Sequence, residues 1–453
     1  MSLDGKLRGY IGLADDFRSG KTSPRVFLDG ALDRIDRLDS RIKAFVALNK
    51  GGAAKAADAA AVRWREGRPL SAIDGMPIAV KDVIETADMP TGQGSPLLEG
   101  RMLHFDSASV HALREAGAVI VGKTTTTEFA ATEPFHETQN PYDGQRTPGG
   151  SSSGSAAAVA AGMVPVALGT QVVGSIVRPA SYCGAIGFKP SYGAINRSGS
   201  HDHFSQGCQG AIGATLADTW LVLRAIAERA GGDPGNPGLN GDPDLSAGTR
   251  PARIAALETT GWAQTTAGAR AALADARGKL QGAGIEIRSR ADDPLLEEIE
   301  GAIGDAAVLT TKINTWEGHW PRNTYADLDA SKLSAASLNR IQVARTMTQR
   351  DYRALLTQRA AMRAAFEKAA GQYDVFVTLG ACGAAPRGLE STGNPAMNIT
   401  ASALGVPALT LPILSDEGLP LGLQVLSGFG RDAELFAAAI WLLANVFERC
   451  DLI

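Results

Sequence analysis

The chemistry of this chain is concentrated in residues 147–190, TPGGSSSGSAAAVAAGMVPVALGTQVVGSIVRPASYCGAIGFKP. The stretch opens on a turn containing Gly149, Gly150, Ser151, Ser152 and Ser153, and a second Gly/Ser turn covers 171–175. Between them, small residues at 156–162 suit a closely packed helix, and 164–168 suit a short apolar strand. One helix and one strand between two serine-bearing loops can set two hydroxyls side by side, with free N–H groups of the second loop facing a developing oxyanion. Such a layout suits acyl transfer. Most Gly/Ser-rich stretches are linkers, but element-sized apolar blocks argue against that reading here. A third reactive group, Lys81, ends the apolar run Ile78-Ala79-Val80. A buried ammonium is costly unless it is paired or loses its proton. A strand-end lysine can equally reach solvent, and the residues alone leave both readings open.

GGSSSGSAAAVAAG, then GTQVVGSIVRPASYCGAIGFKPSYG, and upstream GMPIAVKD together resemble the amidase signature family, serine hydrolases with a Ser–cis-Ser–Lys triad. The resemblance extends over most of the chain and is weakest in the middle third. It implies that Lys81, Ser151 and Ser175 are the triad, with Ser175 as nucleophile 24 residues after the bridging Ser151 and a cis peptide bond before Ser151. Neutral Lys81 is then the base, Ser151 relays the proton, and Ser175 attacks the carbonyl carbon. The backbone N–H groups of Val172, Val173, Gly174 and Ser175 receive the oxyanion. Ser151 returns a proton to the departing amine, and water hydrolyses the acyl-enzyme by the same relay. This chemistry requires no metal and no organic cofactor. Burial should lower the lysine pKa, so activity should rise from neutral to mildly alkaline pH.

Two further residues follow from the same resemblance. Arg178, three positions after the nucleophile, resembles an arginine of malonamidase-type members that meets a substrate carboxylate; the alternative is an internal salt bridge supporting the loop. Phe129 falls in a segment, 124–146, that in the family lines one wall of the cleft. Ser152 and Ser153 are expected to hold the loop through hydroxyl-to-backbone bonds. The sequence also departs from the family. The usual T-G-G-S is Val172-Val173-Gly174-Ser175, giving a stiffer loop and a more apolar pocket side while leaving every N–H in place. The frequent SLDQ-x-GP is SQGCQGA at 205–211, without the acid and the proline.

These features predict hydrolysis of an aryl or alkyl carboxamide, with a carbamate (urethane) attacked in the same manner. Arg178 favours instead a short amide bearing a carboxylate; the apolar loop tips the balance toward a larger, uncharged substrate. Two other classes remain in view. A glutaminase subunit of a tRNA-dependent amidotransferase would retain T-G-G-S and the SLDQ-type segment more closely. A silent binding protein on the same fold is suggested by Val172 and Val173 and opposed by the presence of all three triad residues.

The elements that must position these groups alternate. Ser23 and Pro24 form a helix start, and Leu28, Leu32, Ile35 and Leu38 recur at helical spacing. Strands are expected at 45–48, 118–121, 253–257, 285–287, 375–379 and 408–412, with helices at 53–66, 107–116, 218–228 and 394–404. Residues 294–370 read as almost wholly helical, a cap over the cleft. The predicted fold class is α/β, the amidase signature fold: a central mixed, mostly parallel β-sheet covered by helices on both faces, with 294–370 as an inserted helical cap in a single domain spanning 1–453.

Bulk properties bound the partners. With 44 Lys/Arg against 48 Asp/Glu and a net charge of −4, no basic block invites nucleic acid or an anionic membrane. No apolar run reaches the roughly 20 residues of a membrane span, and MSLDGKLRGY lacks an apolar leader, so a soluble cytoplasmic protein is expected. Cys183, Cys208, Cys382 and Cys450 are scattered and read as buried thiols of a reducing compartment. His201 and His203 flank Asp202, and a solvated loop is favoured there over a metal site. A small-molecule substrate is the expected partner; a homodimer rests only on the frequency of dimers among enzymes.

Overall fold

Eleven short strands from distant parts of the chain assemble one sheet. They are β1 (Phe45–Leu48), β2 (Pro77–Lys81), β3 (Val119–Thr124), β4 (Val166–Gln171), β5 (Ile186–Lys189), β6 (Cys208–Gly213), β7 (Arg253–Ala256), β8 (Glu286–Arg288), β9 (Val375–Leu379), β10 (Ala408–Asp416) and β11 (Leu419–Leu426). The computed structural model describes residues 7–453 apart from 132–135, 202, 243, 246 and 247. Asp202 and part of the 124–146 segment therefore lie outside the described residues.

The strand order is β1-β3-β2-β4-β6-β5-β10-β11-β9-β7-β8. The sheet is mixed, as expected, but parallel pairing does not dominate it. Parallel ladders join only β3-β2-β4 and β9-β7-β8, and antiparallel ladders join the rest. Three of these six antiparallel ladders involve β5 or β6, IGFK and CQGAIG, which gave no strand signal. Both strands are buried along their whole length, so their residues do not alternate between polar and apolar.

Helices cover both faces. In chain order they are α1 (Ala14–Ser19), α2 (Pro24–Ile42), α3 (Lys50–Arg65), α4 (Ala108–Glu115), α5 (Ser153–Ala160), α6 (Val177–Cys183), α7 (Leu216–Ala230), α8 (Ala267–Gly282), α9 (Pro294–Ile303), α10 (Ala306–Glu317), α11 (His319–Asp329), α12 (Ala335–Arg345), α13 (Gln349–Ala370), α14 (Ala396–Leu404) and α15 (Asp432–Asn445). The Ser23 hydroxyl accepts from the Val26 N–H at the start of α2, with Pro24 at its first position. In β2, Ile78 and Val80 pack into one core while Ala79 joins the other, against α2, α3 and α5. That period of two is why strands buried on both sides carry apolar residues without a break.

The helices α9–α13 fill the predicted 294–370 block, between β8 and β9 of the same sheet. Leu296, Ile299 and Ile303 of α9, Ile313 of α10 and Phe366 of α13 share a core with Phe376 of β9 and Ala255 of β7. Cys183, Cys208 and Cys382 are buried, but Cys450 is exposed, because it lies on a short turn after the last helix. Among the described residues, no helix is long and apolar enough to cross a membrane.

Candidate active site

Three elements converge on one point. β2 runs between β3 and β4, with Val80 opposite Leu168, so its last residue, Lys81, is fully buried beside the end of β4. The Lys81 Nζ lies 2.7 Å from the Ser151 Oγ and 2.9 Å from the Thr170 Oγ1. Its neighbour Lys123 on β3, equally buried, is instead paired with Asp82 at 3.1 Å. Burial lowers the Lys123 pKa against that ion pair and raises that of Asp82. Lys123 thus meets a carboxylate and the Thr91 hydroxyl, while the hydroxyls of Ser151 and Thr170 lie within hydrogen-bond reach of Lys81.

Ser151 precedes α5 and follows the cis Gly150–Ser151 peptide bond. Gly149, at φ 84°, turns so tightly that a Cβ there would meet the Pro179 Cα at 2.8 Å. The Ser153 Oγ donates to the Gly149 carbonyl at 2.8 Å, as expected of a loop-holding serine, and the Ser152 Oγ donates to the Thr170 carbonyl at 3.4 Å. The Ser152 N–H donates to the Ser175 carbonyl at 3.3 Å, drawing the two serine loops together.

The second loop links β4 to α6. Gln171 holds its far end, its Oε1 accepting from the N–H groups of Ile176 at 2.8 Å and Val177 at 3.0 Å. The Gln206 Nε2 donates to the Val172 carbonyl at 3.0 Å, and the Ser402 Oγ to that of Val173 at 2.8 Å. Carbonyls of this loop are therefore held from behind. Among the described residues, the N–H groups of Val173, Gly174 and Ser175 meet no acceptor. A Cβ at Gly174 would lie 2.8 Å from the Asn398 Oδ1, so the loop passes closer to α14 than any side chain allows.

Ser151, Ser175, Thr170, Val172, Val173, Gly174, Arg178 and Phe129 all line one cavity of about 420 Å³, a size suited to a small molecule. Val172 and Val173 contribute the apolar surface foreseen for them. Arg178 does not form the internal salt bridge that was one of its two expected roles. Among the described residues it has no acidic partner, and its guanidinium is tied up chiefly by main chain: Nη2 donates to the Gly150 carbonyl at 2.7 Å and to the Thr392 Oγ1 at 3.0 Å, and Nη1 to the Gly393 carbonyl at 3.0 Å. Burial lowers its pKa. Phe129 has a left-handed φ of 48° and stacks on Tyr325 of α11 at 4.6 Å between ring centroids.

His201 is not in a solvated loop. It lines the cavity, its ring 5.8 Å from Phe129 and 6.1 Å from Tyr325. Burial, reinforced by His203 and the cations around it, lowers its pKa to about 3, so it is neutral at physiological pH. The sequence reading missed Thr170 and Gln171, although both stand in the GTQVVGS segment it singled out. It also missed the cap residues of the cavity, Thr310, Asn314, Arg322 and Arg340, for which no local motif exists. Where the family pattern has SLDQ, Ser205 hydrogen-bonds Glu317 of α10 and Gln206 supports Val172. This segment therefore links the second serine loop to the cap.

Comparison with known proteins agrees with this geometry. The family model Amidase matches residues 27–436. A glutamyl-tRNA(Gln) amidotransferase chain of Anaeromyxobacter sp. (strain K) is 43% identical over 233 residues, 49% of this chain and 44% of that protein; the chain thus spans less than half the length of this relative. A solved structure described as an amidase is 26% identical with a TM-score of 0.84, over 97% of this chain and 100% of that one. A chain from an inhibitor-bound complex, described as revealing the evolutionary origins of an s-triazine catabolic enzyme, is 27% identical with a TM-score of 0.84, over 97% and 99%. By its matched length, its fold and the segments around Lys81, Ser151 and Ser175, the chain belongs to the amidase signature family.

Proposed function

We propose that this amidase signature amidohydrolase cleaves the C–N bond of a small carboxamide through an acyl-enzyme on Ser175. The observation that carries the reading is the 2.7 Å contact between the Lys81 Nζ and the Ser151 Oγ in a cavity that Ser151 shares with Ser175. Neutral Lys81 accepts the Ser151 proton as Ser151 takes that of Ser175, whose Oγ attacks the carbonyl carbon. The developing oxyanion is met by N–H groups of Val172, Val173, Gly174 and Ser175, whose loop is already held from behind and need not reorganise. Ser151 protonates the leaving amine, and water repeats the relay to release the acid. Carbamates have the same attacked carbonyl and fall within reach. Val172, Val173, Phe204 and Ile399 give the acyl or aryl group an apolar seat. Residues 294–370 act as a specificity cap inserted in one domain.

The decisive experiment is amine release from an anilide and an aryl carbamate by wild type and Ser175→Ala, with phosphonate labelling of Ser175. Turnover and labelling in the wild type alone support the reading; turnover retained in Ser175→Ala sinks it. The 43% identity to an amidotransferase chain over about half the length of this one favours a second reading, a glutaminase acting inside a complex. Ammonia release from glutamine, together with co-purifying partner chains, would put that reading first.

A further inference from the structure

The cavity has two walls of different origin. The serine loops form one; α10, α11 and α12 of the cap form the other, contributing Thr310 and Asn314, Arg322, and Arg340 respectively. Arg322 is only 4% exposed, yet its Nε and Nη1 have no hydrogen-bond partner among the described residues. The Thr310 Oγ1 and the Asn314 Oδ1 beside it are also buried without a partner. Buried polar atoms in folded proteins are almost always paired, and a guanidinium most of all. Three of these atoms, Arg322 Nε and Nη1 and the Thr310 hydroxyl, can donate to an acceptor group of a ligand, whereas the Asn314 Oδ1 only accepts.

The sign of that group follows from the charges. Burial first, then the nearby Arg340, lowers the Arg322 pKa to about 10, with Glu128 and Tyr325 opposing the fall; Arg322 remains cationic at neutral pH. The Glu128 carboxylate is already engaged, accepting from the Ser334 N–H at 3.0 Å and from the hydroxyls of Ser334 and Ser337. Glu390, the acidic residue on the cavity lining, is exposed. The hydrogen-bonding capacity of Glu128 is thus spent on Ser334 and Ser337, and the buried Arg322 guanidinium keeps two donors for an acceptor group of the ligand.

We infer that Arg322, with Arg340, Asn314 and Thr310, forms a subsite for a carboxylate carried by the substrate. The inference rests on the amide-hydrolase reading only in calling the ligand a substrate. It moves the main anion contact from Arg178, both of whose terminal nitrogens are engaged, to the cap. A planar guanidinium with two open donors matches a carboxylate, and burial strengthens the pairing. The substrate is then an amide with an apolar part against the valines and an anionic group under the cap.

The test separates binding from turnover. Calorimetry on Ser175→Ala compares the monoanilide of succinic acid with the uncharged butanoic anilide. Binding of the charged anilide should be tighter by on the order of 10–100-fold, the range of a charge-assisted pair. Adding Arg322→Gln should bring the ratio to within about threefold of unity, and Arg340→Gln, at a half-buried position less demanding for folding, should reduce it in part. A ratio near one in Ser175→Ala, or one unchanged in both double variants, overturns the subsite. A strong preference in a protein that hydrolyses neither anilide supports the subsite and sinks the acyl-enzyme reading instead.

Discussion

The two walls of the cavity teach different things about how a site is built. On the sheet side, most polar groups are matched to one another, Lys81 to Ser151 and Thr170, Gln171 to two backbone N–H groups and Arg178 to three oxygens, although the Arg178 Nε and the Thr127 Oγ1 are buried without a partner. In the proposed mechanism, what this wall leaves open is a row of N–H groups where charge would develop. On the cap side, matching is incomplete, and Arg322, Asn314 and Thr310 keep buried polar atoms without partners. On the proposed function, the first pattern serves as preorganisation for a transition state. The second belongs to ligand recognition, because its missing partners must come from outside the protein.

That contrast breaks most sharply at the reacting groups. Ser175→Ala and Lys81→Met should each lower amine release by at least about 10⁴-fold while substrate still binds the cap wall. A residual rate within about tenfold of wild type in either variant would mean the sheet-side wall is not where the chemistry occurs. Gln171→Leu takes the shared acceptor from Ile176 and Val177, at about 1–3 kcal/mol for each orphaned group, and loosens the loop ahead of α6. Its kcat should fall on the order of 10–100-fold with KM nearly unchanged; a rise in KM alone would make the loop a binding element.

Cap-side changes should show the opposite split. Tyr325→Leu removes the ring stacked on Phe129, a contact worth about 0.5–1.5 kcal/mol beyond burial. KM should rise by roughly 3–10-fold with little loss of kcat, the signature of uniform binding. An equal fall in kcat would place the stack in the transition state.

His201 sharpens the comparison through pH. Its folded pKa of about 3 lies below the ordinary histidine value near 6.5, so the unfolded chain binds more protons between those limits. The neutral ring therefore costs nothing above about pH 6.5, and stability falls as pH drops toward 3. Asp218, raised to about 6 by burial, works the other way, losing stability as pH rises toward 6. The informative quantity is the difference in melting temperature between wild type and His201→Gln, which should widen in favour of the variant from about pH 7 to about 4.5, on the order of 2 kcal/mol. A difference independent of pH would mean that the ring protonates freely in the folded state. The smallest effect belongs outside both walls: Cys450→Ser should leave activity and stability within about 0.5 kcal/mol of wild type while removing the fast-reacting thiol in a thiol-labelling assay.

Residue types and spacing pointed to two serine-bearing loops and a strand-end lysine, and the resemblance to the amidase signature family singled out Lys81, Ser151 and Ser175 as the proposed reacting groups. The 24-residue interval between Ser151 and Ser175, the lysine closing an apolar run, and the Ser23-Pro24 helix start are local properties, and local stereochemistry expresses them wherever the chain goes. Strands such as β1 and β9, and the helical block at 294–370, were legible for the same reason. β5 (IGFK) and β6 (CQGAIG) were not, since their glycines, lysine and glutamine break the apolar run by which the equally buried β9 was read. The salt bridge considered for Arg178 gave way to contacts with Gly150, Thr392 and Gly393, which are brought to it by folding and are not encoded by any pattern near it. Arg322 left no trace at all in HWPRNTY. An arginine's neighbours decide whether it is a solvated charge, a brace or a ligand site, and here those neighbours come from three cap helices and from Glu128, far earlier in the chain. Only the tertiary structure could bring them together and leave that guanidinium dry, charged and with donors still open.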